Sequence, residues 1–174
     1  MTLKHLVVDT SFYKKCNFIN LSEHRDQINK IIETEMSKLC SDIKIEHKIN
    51  VFGSCIHDDI IGQKDIDLLI SVDEAHINTA TEALSGTLSQ KRKSTWTSDF
   101  RCFNKIVGEW KIDYVLTTND SYTENWYLNH TKLLLTNGSL RKKYNDMKLR
   151  FQSKDYLEYK KEKYSFWEKY GNNL

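Results

Sequence analysis

Val51-Phe52-Gly53-Ser54 and, after a polar loop, Lys64-Asp65-Ile66-Asp67-Leu68-Leu69-Ile70 are the two runs that decide the fold. Ile43, Ile45, Ile49 and Val51 alternate with polar residues and predict a half-buried strand that runs into Gly53-Ser54. Asp65 to Val72 reads as a second strand. Side chains on a strand alternate faces, so Asp65 and Asp67 project to one side while Ile66 and Leu68 point into a core. Two neighbouring carboxylates repel and raise each other's pKa unless a cation sits between them. A divalent ion such as Mg²⁺ suits the pair, with substrate phosphates and waters completing its octahedron. Gly53 allows a close backbone approach, and Ser54 offers an N–H and a hydroxyl to phosphate oxygens. The competing reading of Asp65 and Asp67, two exposed strand-end carboxylates, fits poorly with the flanking Ile66, Leu68, Leu69 and Ile70.

In-line phosphoryl chemistry with two metals calls for a third carboxylate. Lys111-Ile112-Asp113-Tyr114-Val115-Leu116 supplies a candidate. Ile112, Tyr114 and Leu116 fill one face of that run, and Asp113 points from the other. An aspartate amid an apolar strand is costly without a metal or a hydrogen-bonding partner; the plainer reading is a half-exposed sheet position.

Around these runs the pattern is α+β: a small mixed β-sheet with flanking helices and a helical C-terminal third. Asn20 followed by Glu23 predicts a helix start, and Ile28, Ile31, Ile32 and Leu39 carry its apolar face through about Cys40. Asp73 is a candidate cap for a helix with Ile77, Ala80, Leu84 and Leu88 on one face. Thr95–Val107 and Trp110–Leu116 read as an antiparallel hairpin turning at Gly108-Glu109. A helix from Asp120 to Thr136 is expected to stop at Asn137-Gly138. A second carries Leu140, Tyr144, Met147 and Phe151, and a third starts near Ser153. Leu6-Val7-Val8 is either a short strand or a docking arm. The 174 residues suit a single domain, with a core over about 20–118 and a helical region over about 119–174.

Composition narrows the class. Hydrophobic residues at 39% and charged residues at 29% are ordinary for a soluble globular chain. No apolar run approaches the ~20 residues of a membrane span. The four cysteines show no metal-ligand spacing and nothing resembles a signal peptide, so reduced, buried or half-buried thiols and a cytoplasmic location are expected. The net charge of +2 does not demand a nucleic-acid partner, but ten basic against five acidic residues from Ser139 to Leu174 make the tail basic.

Gly53-Ser54, with aspartates twelve and fourteen residues after Gly53 and then a hydrophobic run, resembles the signature of the polymerase-β-type nucleotidyltransferase superfamily, its minimal members in particular. The run Leu140-Arg141-Lys142-Lys143-Tyr144, continued by Met147-Lys148, Tyr156, Tyr159-Lys160 and Lys163, is similar to the GrpB-like branch, where an aromatic- and lysine-spaced helical tail follows the sheet. That branch usually has proline in the loop after Gly-Ser, and its first acidic position is often not acidic. This chain lacks the proline and keeps both aspartates. The resemblance implies Mg²⁺ (or Mn²⁺) held by Asp65, Asp67 and Asp113. It also implies an NTP with its phosphates against Gly53 and Ser54, and transfer of a nucleoside monophosphate to a hydroxyl acceptor on a protein, an RNA end or a small molecule.

Further candidates have two readings each. Lys64 is either a phosphate ligand or a surface lysine. Arg141, Lys142 and Lys143 either reach a triphosphate or an RNA backbone, or form a solvated helix face. His57-Asp58-Asp59 either contacts metal or substrate or is a solvated loop. Tyr144, Tyr156, Tyr159, Tyr164 and Trp167 either stack on bases or, as their spacing favours, pack in a core. A partner chain or a homodimer is one way to complete acceptor recognition in so short a chain. The alternatives to an enzyme are a nucleotide-binding module without catalysis and an RNA-binding protein.

Overall fold

The computed structural model describes residues 13–91 and 93–171, so Leu6-Val7-Val8 lies outside the described residues. Its centre is a five-stranded mixed sheet in the order β2-β4-β7-β6-β5. The strands are β2 (His47–Phe52), β4 (Asp65–Val72), β5 (Ser89–Lys91), β6 (Phe100–Val107) and β7 (Trp110–Thr118). Two-residue strands β1 (Ile19–Asn20) and β3 (Ile61–Gly62) pair separately. β4 and β7 run parallel at the middle; the other neighbours are antiparallel. A parallel pair needs a crossover, supplied here by helix α2 (Ile77–Ser85), β5 and β6.

The alternation along β4 and β7 divides the sheet into two faces. On one, Ile66, Leu68, Ile70, Val72, Ile112, Tyr114 and Leu116 pack against α2 and α1 (Arg25–Asp42) through Ile28, Leu39, Ile77, Ala80 and Leu84. Each fully buried aliphatic side chain there contributes on the order of 1.5–3 kcal/mol before conformational entropy is counted. The other face carries the aspartates at one end. Further along, Leu69, Val115 and Phe52 are covered by Phe100, Tyr127 and Leu128. Tyr127 and Leu128 belong to α3 (Tyr122–Thr136), which with α4 (Gly138–Leu149) and α5 (Tyr156–Gly171) forms the helical third. A second core lies among these helices, where Leu140, Tyr144, Met147, Tyr159, Phe166 and Trp167 close on one another. The N-terminal segment joins it through Cys16 and Phe18, and its backbone is tied to the α4–α5 connection by Cys16 N–H to Lys154 O and Ser153 N–H to Cys16 O.

Boundaries differ from the periodicity in instructive ways. Asn20 caps a 3₁₀ turn (Leu21–His24) that leads into α1, accepting from Ser22 N–H and donating to Glu23. Ile43 and Ile45 precede β2; Ile43 is the buried C-cap of α1, its N–H bonded to Leu39 O at 2.9 Å. A buried residue that follows a helix in an extended conformation mimics strand alternation. Asp73 makes no side-chain cap and instead accepts from Asn119 Nδ2, while Leu88 lies beyond the end of α2. The hairpin turns at Gly108-Glu109 as expected, with Val107 opposite Trp110 and Gly108 at φ +59. Its first strand begins at Phe100, because 93–95 form a 3₁₀ turn. Asn137 ends α3 and also caps α4, accepting from Leu140 N–H at 2.9 Å, so Gly138 opens a helix rather than closing one. α5 starts at Tyr156, where the Asp155 carboxylate accepts from Leu157 and Glu158 N–H. Cys16, Cys55 and Cys102 are buried thiols outside any disulfide, but Cys40 is exposed because it lies on the outer side of α1.

Candidate functional site

The parallel register of β4 and β7 sets Asp67 opposite Asp113 and Asp65 opposite Lys111. Strand alternation then places all four side chains on one face. From the other side β2 pairs Phe52 with Asp67 and delivers the chain directly into Gly53. Gly53 has φ +78, and a Cβ there would run into the Asp67 carboxylate. An L side chain is thus excluded twice, by backbone strain and by crowding.

Asp67 is half-buried, and its pKa is pushed up to about 7. Burial is the main cause; the charges of Asp65 and Asp113 add to it, while Lys163 and Lys160 pull the other way. A carboxylate held in this condition is stabilised by any cation brought close. The donor chemistry of three aspartates on one face therefore fits a hard divalent ion. The side chains are not gathered into a finished site, however. Among the described residues, no three His, Cys, Asp or Glu side chains come together as a metal-holding group. Asp113 Oδ2 instead accepts from Lys111 Nζ at 2.6 Å, an ion pair in which Lys111 is only 5% exposed. Tyr13 lies against this pair, with Lys111 Nζ 5.9 Å from its ring centroid and its hydroxyl donating to Lys64 O.

Ser54 is held from behind. Lys148, 1% exposed on α4, donates to Ser54 Oγ at 2.6 Å and also to Ile61 O, with its ammonium over the Tyr144 ring. Burial, helped by the charge of Lys163, keeps its pKa well below the usual lysine value.

The sheet face opens into a cleft of about 270 Å³. Gly53, Asp67, Asp113 and Val115 form its floor, and Trp126, Tyr127 and His130 of α3 form one wall. Lys160, Lys163 and Tyr164 of α5 form the other. Burial and then the neighbouring Lys163 lower Lys160 to about 8. For Lys163 burial also acts downward, but Tyr144, Asp67 and Asp65 outweigh it and hold the ammonium above its ordinary value. Two lysines thus stand over two aspartates, beside a wall of aromatic rings.

The remaining candidates lie elsewhere. Lys64 pairs with Glu109. Arg141 donates to Leu134 O and Leu135 O at the end of α3 and approaches Asp59 at 3.5 Å, and Lys142 is exposed on α4. None of the three lines the cleft, and neither do Asp65 and Ser54, which adjoin it through Asp67 and Gly53. Asp58 is tied to Arg25 at 2.6 Å, and Asp59 O accepts from Asn145, so this loop is anchored to α1 and α4. Lys148, Lys160 and Lys163 belong to the lysine- and tyrosine-spaced tail that carries the GrpB-like resemblance, but the sequence assigned none of them a place at the site. One signal for Lys148 was available: it lies four residues after Tyr144, on the apolar face of α4.

The described residues superpose on GrpB from Enterococcus faecalis with a TM-score of 0.61, covering 83% of this chain and 94% of that one at 17% identity. The fold is that of GrpB. The Cid1 poly(U) polymerase bound to a UTP analogue gives a TM-score of 0.46 at 12% identity, over 77% of this chain and 40% of that one. A cytoplasmic RNA terminal U-transferase gives 0.43 at 15%, over 77% and 39%. These two likenesses are too weak to add to the assignment. No family model and no curated protein matches the sequence. No helix among the described residues is long and apolar enough to cross a membrane.

Proposed function

We propose that the chain is a metal-dependent nucleotidyltransferase, moving a nucleoside monophosphate from an NTP to a hydroxyl acceptor on a protein, an RNA end or a small molecule. The observation that carries this reading is the cleft, where Asp67 and Asp113 share a floor with Gly53 and face Lys160 and Lys163. Asp65, Asp67 and Asp113 would hold Mg²⁺ (or Mn²⁺), which supplies phosphate charge neutralisation and a lowered pKa for the attacking hydroxyl. Gly53 lets the backbone lie directly against the Asp67 carboxylate, and Ser54 presents its hydroxyl, oriented by Lys148. Lys160 and Lys163 neutralise the charge that develops on the phosphates, and they do so from a half-buried wall where the interaction is little screened. Trp126, Tyr127 and Tyr164 offer ring faces to a base. The exposed Lys142 and Lys143 and the basic tail suit an anionic acceptor.

One observation favours a second reading, a nucleotide-binding module without catalysis: Asp113 is already paired with Lys111. Incubation with each α-labelled NTP, Mg²⁺ and a panel of acceptors separates the two. The enzyme reading expects label transfer with pyrophosphate release, abolished by Asp67→Asn while the thermal melt is retained. Metal-dependent NTP binding without transfer or pyrophosphate release from any NTP would leave the binding module in its place.

A further inference from the structure

Three carboxylates share one sheet face, yet a fourth charged side chain stands among them. Lys111 is opposite Asp65 in the register and two residues before Asp113, so it emerges on the same face. Its ammonium is 2.6 Å from Asp113 Oδ2 and nearly enclosed, with the Tyr13 ring alongside. Lys111 is not a cleft-lining residue, whereas Asp113 is. Asp113 thus belongs both to the cleft and to an ion pair with a lysine that lies outside the cleft lining.

We propose that Lys111 is the resident cation of this carboxylate cluster, occupying on Asp113 a place that a second divalent ion would otherwise take. The inference rests on the reading of Asp65, Asp67 and Asp113 as metal-holding residues. On this view the chain takes up one divalent ion readily, at Asp65 and Asp67. Engagement of Asp113 by a second ion requires the Lys111 ammonium to withdraw from Oδ2. A positive charge this close to a half-buried carboxylate competes directly with a divalent ion for it, at an electrostatic strength of several-fold to many-fold in affinity. The positioning role belongs to Lys111; the ligand remains Asp113.

Mn²⁺ titration of the whole chain, read by electron paramagnetic resonance with a non-hydrolysable NTP analogue present, tests this without reference to activity. Wild type is expected to bind one tight ion per chain. Lys111→Gln is expected to bind a second, or to tighten the weaker ion about tenfold or more, and Lys111→Arg is expected to resemble wild type because it keeps the charge. Equal stoichiometry and affinity in wild type and Lys111→Gln would overturn the proposal, as would Lys111→Arg behaving like Lys111→Gln. Wild type binding no Mn²⁺ would instead remove the underlying metal reading. A measurement independent of variant folding is the NMR signal of the Lys111 ammonium in wild type during Mg²⁺ titration with the same analogue. It should shift as the weaker ion binds, and a signal unmoved through saturation contradicts the proposal.

Discussion

His130 joins the cleft wall to the helical core. Its ring lies 4.0 Å from that of Trp126 and 4.4 Å from that of Trp167, and Nδ1 bonds to Trp126 O. Burial lowers its pKa below 6.5, the backbone bond opposes this, and Lys163 adds to the lowering. The unfolded chain therefore takes up a proton near pH 6.5 that the folded chain still refuses. Stability is fully present above that pH and falls as pH drops through it toward the folded value. Urea unfolding between pH 5 and 8 should show this slope, and His130→Asn should flatten it. Lys148 makes an opposite kind of prediction. Lys148→Met relieves a desolvated charge but leaves Ser54 Oγ and Ile61 O without their donor, so it should lower stability by about 1–3 kcal/mol. Losing the bond to Ser54 should weaken NTP-analogue binding about tenfold, roughly 1.4 kcal/mol, at the strength of a hydrogen bond to a charged group. Calorimetric melts and titrations read the two effects separately. Gly53→Ala should lose on both counts: about 1–2 kcal/mol from the positive φ, with further cost from crowding against Asp67.

Among the elements, the junction of α3 and α4 depends on one side chain. Asn137 ends the first helix and caps the second. Asn137→Ala should lower stability by about 1 kcal/mol, measured by denaturant unfolding, whereas an ordinary exposed helix position would change little. This junction also shows what local pattern leaves unsaid. Asn137-Gly138 has the composition of a helix stop, and α3 does stop there, but the same asparagine starts α4 with no intervening loop. β4, β7, the Gly108 turn and the apolar face of α1 were legible because each is long and its period is undisturbed. β5 was not, because Ser89-Gln90-Lys91 has no apolar alternation and is defined by pairing with β6. The Ile43–Ile45 stretch was misread because burial at the end of α1 imitates a strand.

At the level of the whole molecule, the sheet and its acidic face follow from sequence spacing, while the cleft does not. Asp65, Asp67 and Asp113 could be named because carboxylates inside apolar strands need a partner. Lys160 and Lys163 were named only as part of a lysine- and tyrosine-spaced tail, because α5 is rich in both throughout and only its packing on α3 and α4 selects which lysines enter the cleft. Arg141 shows the converse: a basic run that invited phosphate binding contains a residue that bonds the last carbonyls of α3. Lys111 escaped notice because a lysine at a strand start is usually solvated, and only the β4–β7 register brings it among the aspartates. The central claim is that this face holds a metal-bound nucleotide. A crystal structure with Mn²⁺ and a non-hydrolysable NTP, with the metal located by anomalous scattering, tests it most directly. The prediction is manganese at Asp65 and Asp67, with phosphates between Gly53-Ser54 and the pair Lys160 and Lys163. Nucleotide bound outside the cleft, or manganese away from these aspartates, would contradict it.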